Sequence, residues 1–370
     1  MSDVTNLFSD SAVNPEALTD AVAQAGLNER LRSMMFDALR QAEREAADPL
    51  SFRSHVRWPI VSSLLGKART HRVSLSSGLT FEVGPDSRIE QALLLSAESR
   101  PDHVWEPQTT KLLVALATQA AHVIIGGAYI GDQVLPVAQA MSKTTPQGIV
   151  HAFEPMENAF RRLLRHLELN NITNVCAHQL CLWDSSGVPM NVVGPAALAT
   201  SLPAKQGAIS PHNTVASITI DDYVNARTLP SVGLIMLDIE GNEHRALLGC
   251  TNLLSRRSSE APHVVFEVHR NYVDWSDGLE KTPIVELLRS NGYSVFAIRD
   301  FHDNHAMAGK PIELIPVDRV YLQGPPHGFN LLATKDAELV QRFRLRVVEN
   351  VSPKLLVERD PALHHPLDGL

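Results

Sequence analysis

The run HVIIGGAYIG, residues 122–131, decides the fold. His122–Ile125 reads as a buried strand, Gly126, Gly127 and Gly131 bend the chain, and a helical pattern follows. Glycine lets a backbone turn tightly and approach a ligand with no Cβ in the way, and the helix start beyond it offers N–H donors. The apolar stretch leading into the turn, from Leu112 to Gly131, is long enough to raise the question of a membrane span. Thr118, Gln119, His122 and the glycines argue instead for a core helix running into a buried strand. Such a turn occurs in many α/β proteins, so the rest of the chain must choose among them.

Outward from the turn, apolar runs alternate with helical patterns. The runs are GIVHAFEP (148–155), VCAHQLCLW (175–183), VGLIMLDIEG (232–241), HVVFEVH (263–269) and YSVFAI (293–298). Helical periodicity marks 160–169, 246–254 and 284–288. This alternation predicts a mostly parallel sheet with helices on both faces. DRVYLQG (318–324) and GFNLLAT (328–334) are candidates for an antiparallel edge. Segments 190–214 and 299–316 fit no element, and long loops at the carboxyl ends of such strands are where ligands bind.

Before this region, Leu18, Val22, Leu27, Leu31, Met35 and Leu39 recur at helical intervals broken at Gly26, and Asn14-Pro15-Glu16 reads as a helix start. HRVSLSSGLTFEVG (71–84) reads as a hairpin. The expected organisation is an N-terminal helical extension over 1–70, an α/β domain over 71–340 and a tail over 341–370. The net charge of -8 argues against a nucleic-acid partner. The three cysteines, Cys176, Cys181 and Cys250, are scattered, which predicts a reducing, cytoplasmic setting and no structural zinc. The N-terminus carries acids where an export signal carries Lys or Arg, and no membrane association is expected.

Four groups carry chemistry. The glycine turn is the first. The second is Glu154, ending a strand about twenty residues beyond the turn, where a carboxylate can take both hydroxyls of a ribose; Pro155 follows it. The third is Asp238, at the end of a very apolar strand, within DIEGNE (238–243), where Glu243 also suits the first turn of a helix. The fourth is Glu267 and His269, which alternation places on one face of a strand. His269 titrates near neutral pH.

The run GGAYIG … HAFEP … LLRHLELNNITNV … CLWDSSG … SITIDDYV … GLIMLDIEGNEHRALLG … VVFEVH … GYSVFAI resembles the FkbM family of S-adenosyl-L-methionine-dependent methyltransferases, in order over residues 71–335. The resemblance implies a Rossmann-like class I methyltransferase fold, with a seven-stranded mostly parallel sheet. It implies O-methylation of a small-molecule or saccharide hydroxyl. It places Gly127, Ala128, Tyr129 and Gly131 around the methionine part of S-adenosyl-L-methionine and Glu154 on its ribose. Pro155 and Met156 border the nucleoside, Leu182 and Trp183 lie near the adenine with Asp184 at its amine, and Asp238 sits beside the sulfonium. The chain departs from the family pattern at Ile125, where an acid is usual, at Tyr129, where Asn is usual, and at Met236, where Lys is frequent.

An alcohol acceptor needs a base, and Asp238 and His269 are the catalytic candidates. No metal is expected in the site, with the cluster RDFHDNH (299–305) as the alternative. The other readings are a degenerate methyltransferase acting as a binding or scaffolding module, a nucleic-acid methylase using the arginines at 161, 162 and 165, and an NAD enzyme. A homo-oligomer stays open, with the N-terminal helices as lid or dimer contact.

Overall fold

The computed structural model describes residues 14–66, 70–85, 87–96, 100–145, 147–194, 198–204, 214–322 and 328–355. The chain divides into two compact units, one of residues 1–73 and 82–99, the other of 74–81 and 100–370. The first contains α1 (Pro15–Ala25), α2 (Glu29–Glu45), α3 (Pro49–Phe52), a π-helical turn at Arg53–Arg57, α4 (Trp58–Leu65) and α5 (Arg88–Leu94). Asn14 caps α1, its side chain accepting the Glu16 amide at 3.0 Å. Burial falls on Phe36, Leu39, Val61, Leu64 and Leu65, whereas Leu18, Leu27 and Leu31 of the periodic face are exposed. The division between units passes through the hairpin of β1 (His71–Ser74) and β2 (Thr80–Val83).

The second unit runs α6 (Pro107–Ala117), β3 (His122–Gly126), α7 (Val134–Thr144), β4 (Ile149–Phe153), α8 (Glu157–Leu169), β5 (Val175–His178) and β6 (Cys181–Leu182). It continues through β7 (Pro189–Val193), β8 (Thr200–Pro203), β9 (Thr214–Ile218), α9 (Ile220–Ala226), β10 (Leu234–Leu237), α10 (Glu243–Leu248), α11 (Thr251–Leu254) and β11 (His263–His269). It ends with α12 (Pro283–Ser290), β12 (Ser294–Phe301), β13 (Glu313–Pro316), β14 (Gly328–Thr334), α13 (Leu339–Arg342), β15 (Arg346–Val347) and β16 (Lys354–Leu355).

The main sheet has the order β15-β13-β12-β14-β11-β10-β3-β4-β5, with β16 beside β12. The strands from β5 to β11 are parallel to their neighbours, and β14 runs against both β11 and β12. Seven strands from β5 to β12 thus form the expected sheet, and β13, β15 and β16 widen it to ten. Both faces are covered. Ile124, Ile235, Leu237, Val264 and Phe266 join one core with Leu247, Leu253 and Leu288, while the alternate residues Val123, Ile125, Met236 and Val265 are also buried. The chain leaves β3 toward β4 and β5, but leaves β10 toward β11. This reversal opens a crevice at the carboxyl ends of β3 and β10, the usual ligand position in open α/β sheets.

Four expectations change. Segment 299–316 is not all loop, since its first residues end β12 and Glu313–Pro316 form β13 against it. GFNLLAT becomes β14 between β11 and β12 rather than an edge, because its residues are buried throughout. In DRVYLQG, Val317–Arg319 form a 3-10 turn, Val320 makes only a single bridge to Val351, and residues 323–324 lie outside the described residues. The segment 190–214 contains the hairpin β7–β8, which joins β9 and β6 in a separate four-stranded sheet.

The start of α6 is fixed from across the sheet. Asp300 on β12 accepts the amides of Gln108 (3.0 Å) and Thr109 (2.7 Å). A helix's first amides lack partners within the helix, and a distant carboxylate here serves in place of a local cap. Burial, with the nearby Glu106 charge, pushes the Asp300 carboxyl up to about 7. Replacing Asp300 by Ala is expected to cost about 2 kcal/mol in urea unfolding, and replacement by Asn clearly less. Equal losses would show that the cap contributes nothing.

Candidate active site

The glycine turn is stitched to the end of β4. The amides of Gly127 and Ala128 both donate to the Phe153 carbonyl at 3.0 Å. At Gly127, with φ 79°, any Cβ would stand 1.7 Å from the Asp238 carbonyl oxygen, so no larger residue fits. Tyr129 also takes a left-handed φ of 42°, which costs an L-residue about 1–2 kcal/mol. Its amide donates to Glu154 Oε2 at 2.8 Å, and the Met156 amide donates to Glu154 Oε1 at 2.8 Å.

Glu154 therefore braces two loops at once, and each oxygen keeps a second lone pair for a ligand. Burial pushes its carboxyl up to about 7 against the pull of both amides, with the Asp132 charge adding to the rise. Alongside, Leu182 is buried against Gly126. Trp183 is half-buried, with the Arg245 guanidinium 5.8 Å from its ring. Asp184, expected at an adenine amine, has its carboxylate on Arg245 (2.8 Å) and Ser185 (2.9 Å) instead.

Opposite the turn lies a group of acids. The Asp238 amide donates to Gly126 at 3.0 Å, extending the parallel ladder past β10. The next residues curl tightly, Glu240 at φ 54° and Gly241 at φ 93°. Glu243 holds the curl, its Oε1 accepting the amides of Ile239 (2.8 Å) and Gly241 (3.3 Å). Burial pushes Glu243 up to about 7. The Tyr272 hydroxyl donates to Glu240.

Glu267, on the adjacent strand β11, leans over Gly328, where a Cβ would stand 2.4 Å from Oε1. Among the described residues, the carboxylates of Asp238 and Glu267 are half-buried and make no hydrogen bond. Burial holds both well above the ordinary carboxylate range, with the charges of Glu106, Glu240, Glu243 and Asp132 adding to the rise of Asp238, and those of Asp238, Glu243, Glu106 and Glu240 to that of Glu267.

His269 lies on the same face, its ring 5.5 Å from that of Tyr272. Its Nδ1 accepts the Asn271 amide at 3.1 Å. An amide can only donate, so Nδ1 is the acceptor and the neutral ring carries its proton on Nε2.

Glu106, absent from the sequence-level candidates, is buried beside these acids. It sits at φ 44°, ψ 72° just before α6 and does not cap that helix. Its carboxylate instead accepts Asn330 Nδ2 at 2.8 Å and lies 3.1 Å from His302 Nε2. The only sequence signals were a Glu before Pro107 at a helix start and a polar Asn330 interrupting an apolar strand. The RDFHDNH cluster disperses. Arg299 pairs with Glu313 at 2.9 Å, Asp300 caps α6, His302 meets Glu106, and the His305 ring lies on Phe301 at 4.3 Å. Among the described residues no three His, Cys, Asp or Glu are grouped to hold a metal, and no helix is long and apolar enough to cross a membrane.

A raised carboxyl pKa binds its proton more tightly folded than unfolded, so stability is lost as pH rises from the unfolded value toward the folded one. Glu267→Gln removes this loss. The variant is expected to be more stable than the parent by about 1–2 kcal/mol at pH 8 and near parity at pH 5. Urea unfolding at both pH values checks this, and an advantage that fails to grow with pH would contradict the account.

Residues 126–295 match the family described as Methyltransferase FkbM domain. No curated protein matches the chain. Solved structures with similarity include a putative O-methyltransferase from Klebsiella pneumoniae, at 12% identity over 62% of this chain and 79% of that one, TM-score 0.32. An O-methyltransferase from Bacillus cereus in complex with SAH matches at 14% over 68% and 91%, TM-score 0.34. The O-methyltransferase TomG from Streptomyces achromogenes matches at 14% over 69% and 92%, TM-score 0.34. The glycine turn, the Glu154 brace and the Asp238 loop all fall inside the segment that matches the FkbM methyltransferase domain model.

Proposed function

We propose that the protein methylates a hydroxyl of a small molecule, a natural product or a sugar, with S-adenosyl-L-methionine as donor. The observation that carries this reading is the pair of carboxylates Asp238 and Glu267, without a hydrogen bond among the described residues, on strands β10 and β11 beside a glycine turn that the Asp238 backbone meets. A donor bearing two positive centres suits acids that repel one another without it. Its nucleoside suits Glu154, which retains two acceptor lone pairs in a loop walled by Pro155, Leu182 and Trp183. Gly127, Ala128, Tyr129 and Gly131 form the turn around its methionine part.

When bound, S-adenosyl-L-methionine supplies an electrophilic methyl group for in-line displacement. The protein's part is positioning and proton removal. Asp238 would stand beside the sulfonium and balance its charge. The Asp238–Glu267 pair, poised high by burial, takes the proton of the acceptor hydroxyl. His269, on the same strand face as Glu267, borders the acceptor side of this pair.

The purified protein should bind the donor in calorimetry, and Glu154→Gln should weaken binding by about tenfold or more. Because a cation favours ionised carboxylates, affinity should rise from pH 6 to pH 8, with protons released on binding. Unchanged affinity in Glu154→Gln would remove the ribose assignment. Labelled methyl transfer to a panel of sugars, phenolic products and RNA tests the acceptor class, and transfer to RNA alone would overturn the small-molecule reading.

A further inference from the structure

We propose that Glu106 and Asn330 seat the ammonium group of the methionine part of S-adenosyl-L-methionine, so that the charge usually placed in the strand before the glycine turn comes here from the loop before α6. The inference rests on the cofactor reading above and adds residues that neither the glycine turn nor the DIEGNE loop contains.

Three observations carry it. First, Glu106 occupies the cap position of α6 yet leaves the capping to Asp300, which takes the amides of Gln108 and Thr109. Its left-handed backbone, at φ 44°, is strained for a side chain of this kind, and strain of this sort persists where surrounding structure enforces it. Second, the carboxylate is fixed by Asn330 Nδ2 at 2.8 Å and His302 Nε2 at 3.1 Å, so it is oriented before any ligand arrives. Third, Asn330, only 2% exposed, spends its amide nitrogen on Glu106 while its Oδ1 is buried with no partner among the described residues. A buried acceptor without a donor is costly and marks a missing group.

Two acceptors side by side, one of them anionic, call for a ligand that donates several hydrogen bonds and carries positive charge. An ammonium has three donors and no acceptor; a carboxylate ligand would be repelled, and a neutral hydroxyl would leave the charge unanswered. The seat adjoins the reaction site. Asn330 pairs in register with Glu267 on β11, and Glu106 is the strongest neighbouring charge acting on Asp238. Strand β3 cannot supply the charge, since Ile125 is apolar and 1% exposed.

The test compares two ligands in calorimetry. S-adenosylhomocysteine carries the ammonium; 5′-methylthioadenosine keeps the nucleoside and sulfur but lacks the amino-acid part. Glu106→Gln should weaken the first by about 10- to 100-fold and leave the second nearly unchanged. Asn330→Ala should show the same selectivity with a smaller loss. Each variant's affinity for methylthioadenosine reports whether its pocket is intact, and Asn330→Ala decides by the same comparison should Glu106→Gln not fold. Parallel losses for both ligands, or no loss for either, overturn the ammonium seat while the cofactor reading stands. A parent protein that binds neither ligand overturns both.

Discussion

The close approach of Gly127 to the Asp238 carbonyl is the contact on which the rest of the site depends. A Cβ there would stand 1.7 Å from that oxygen, so the turn after β3 and the end of β10 meet only because one of them is glycine. That approach sets the crevice at the point where the chain reverses its order along the sheet. Glu154 then ties the same turn to the loop after β4 through the amides of Tyr129 and Met156. Three strand ends are thereby locked together by one bare backbone position and one carboxylate.

The crevice is held in an unfavourable state by favourable packing elsewhere. Among the described residues, three of the seven non-glycine residues with positive φ, Glu106, Tyr129 and Glu240, lie at it, which is where strain is expected if it serves a site. Buried acids add to the cost, because a carboxylate out of water without a partner favours its proton. The sheet absorbs this. Leu234, Ile235, Met236 and Leu237 of β10 are all at most 1% exposed, and apolar burial on this scale outweighs a few kcal/mol of strain. A cationic ligand relieves the repulsion, so the free site is built for its occupied form.

Much of the fold was legible because its signals are local. The apolar runs at 122–125, 149–153, 234–237 and 263–269 became strands with little change, since a strand buried on both faces announces itself by composition. The hairpin β7–β8 was missed because Pro189, Asn191, Thr200 and Ser201 form a small sheet with mixed burial that leaves no long apolar run. GFNLLAT was read as an edge because nothing in seven residues says which neighbours they will have. Pairing with both β11 and β12 is a property of the whole sheet.

The site divides in the same way. Sequence alone determined that the glycine turn, Glu154 and Asp238 stand at strand ends, because the apolar runs before them mark where each strand stops. Tertiary structure decided that Glu106 meets Asn330 from more than two hundred positions away, that the Asp184 carboxylate pairs with Arg245, and that His269 Nδ1 accepts the Asn271 amide. These depend on direction and hydrogen-bond partner, and a carboxylate or an imidazole acquires both only when the chain has closed around it.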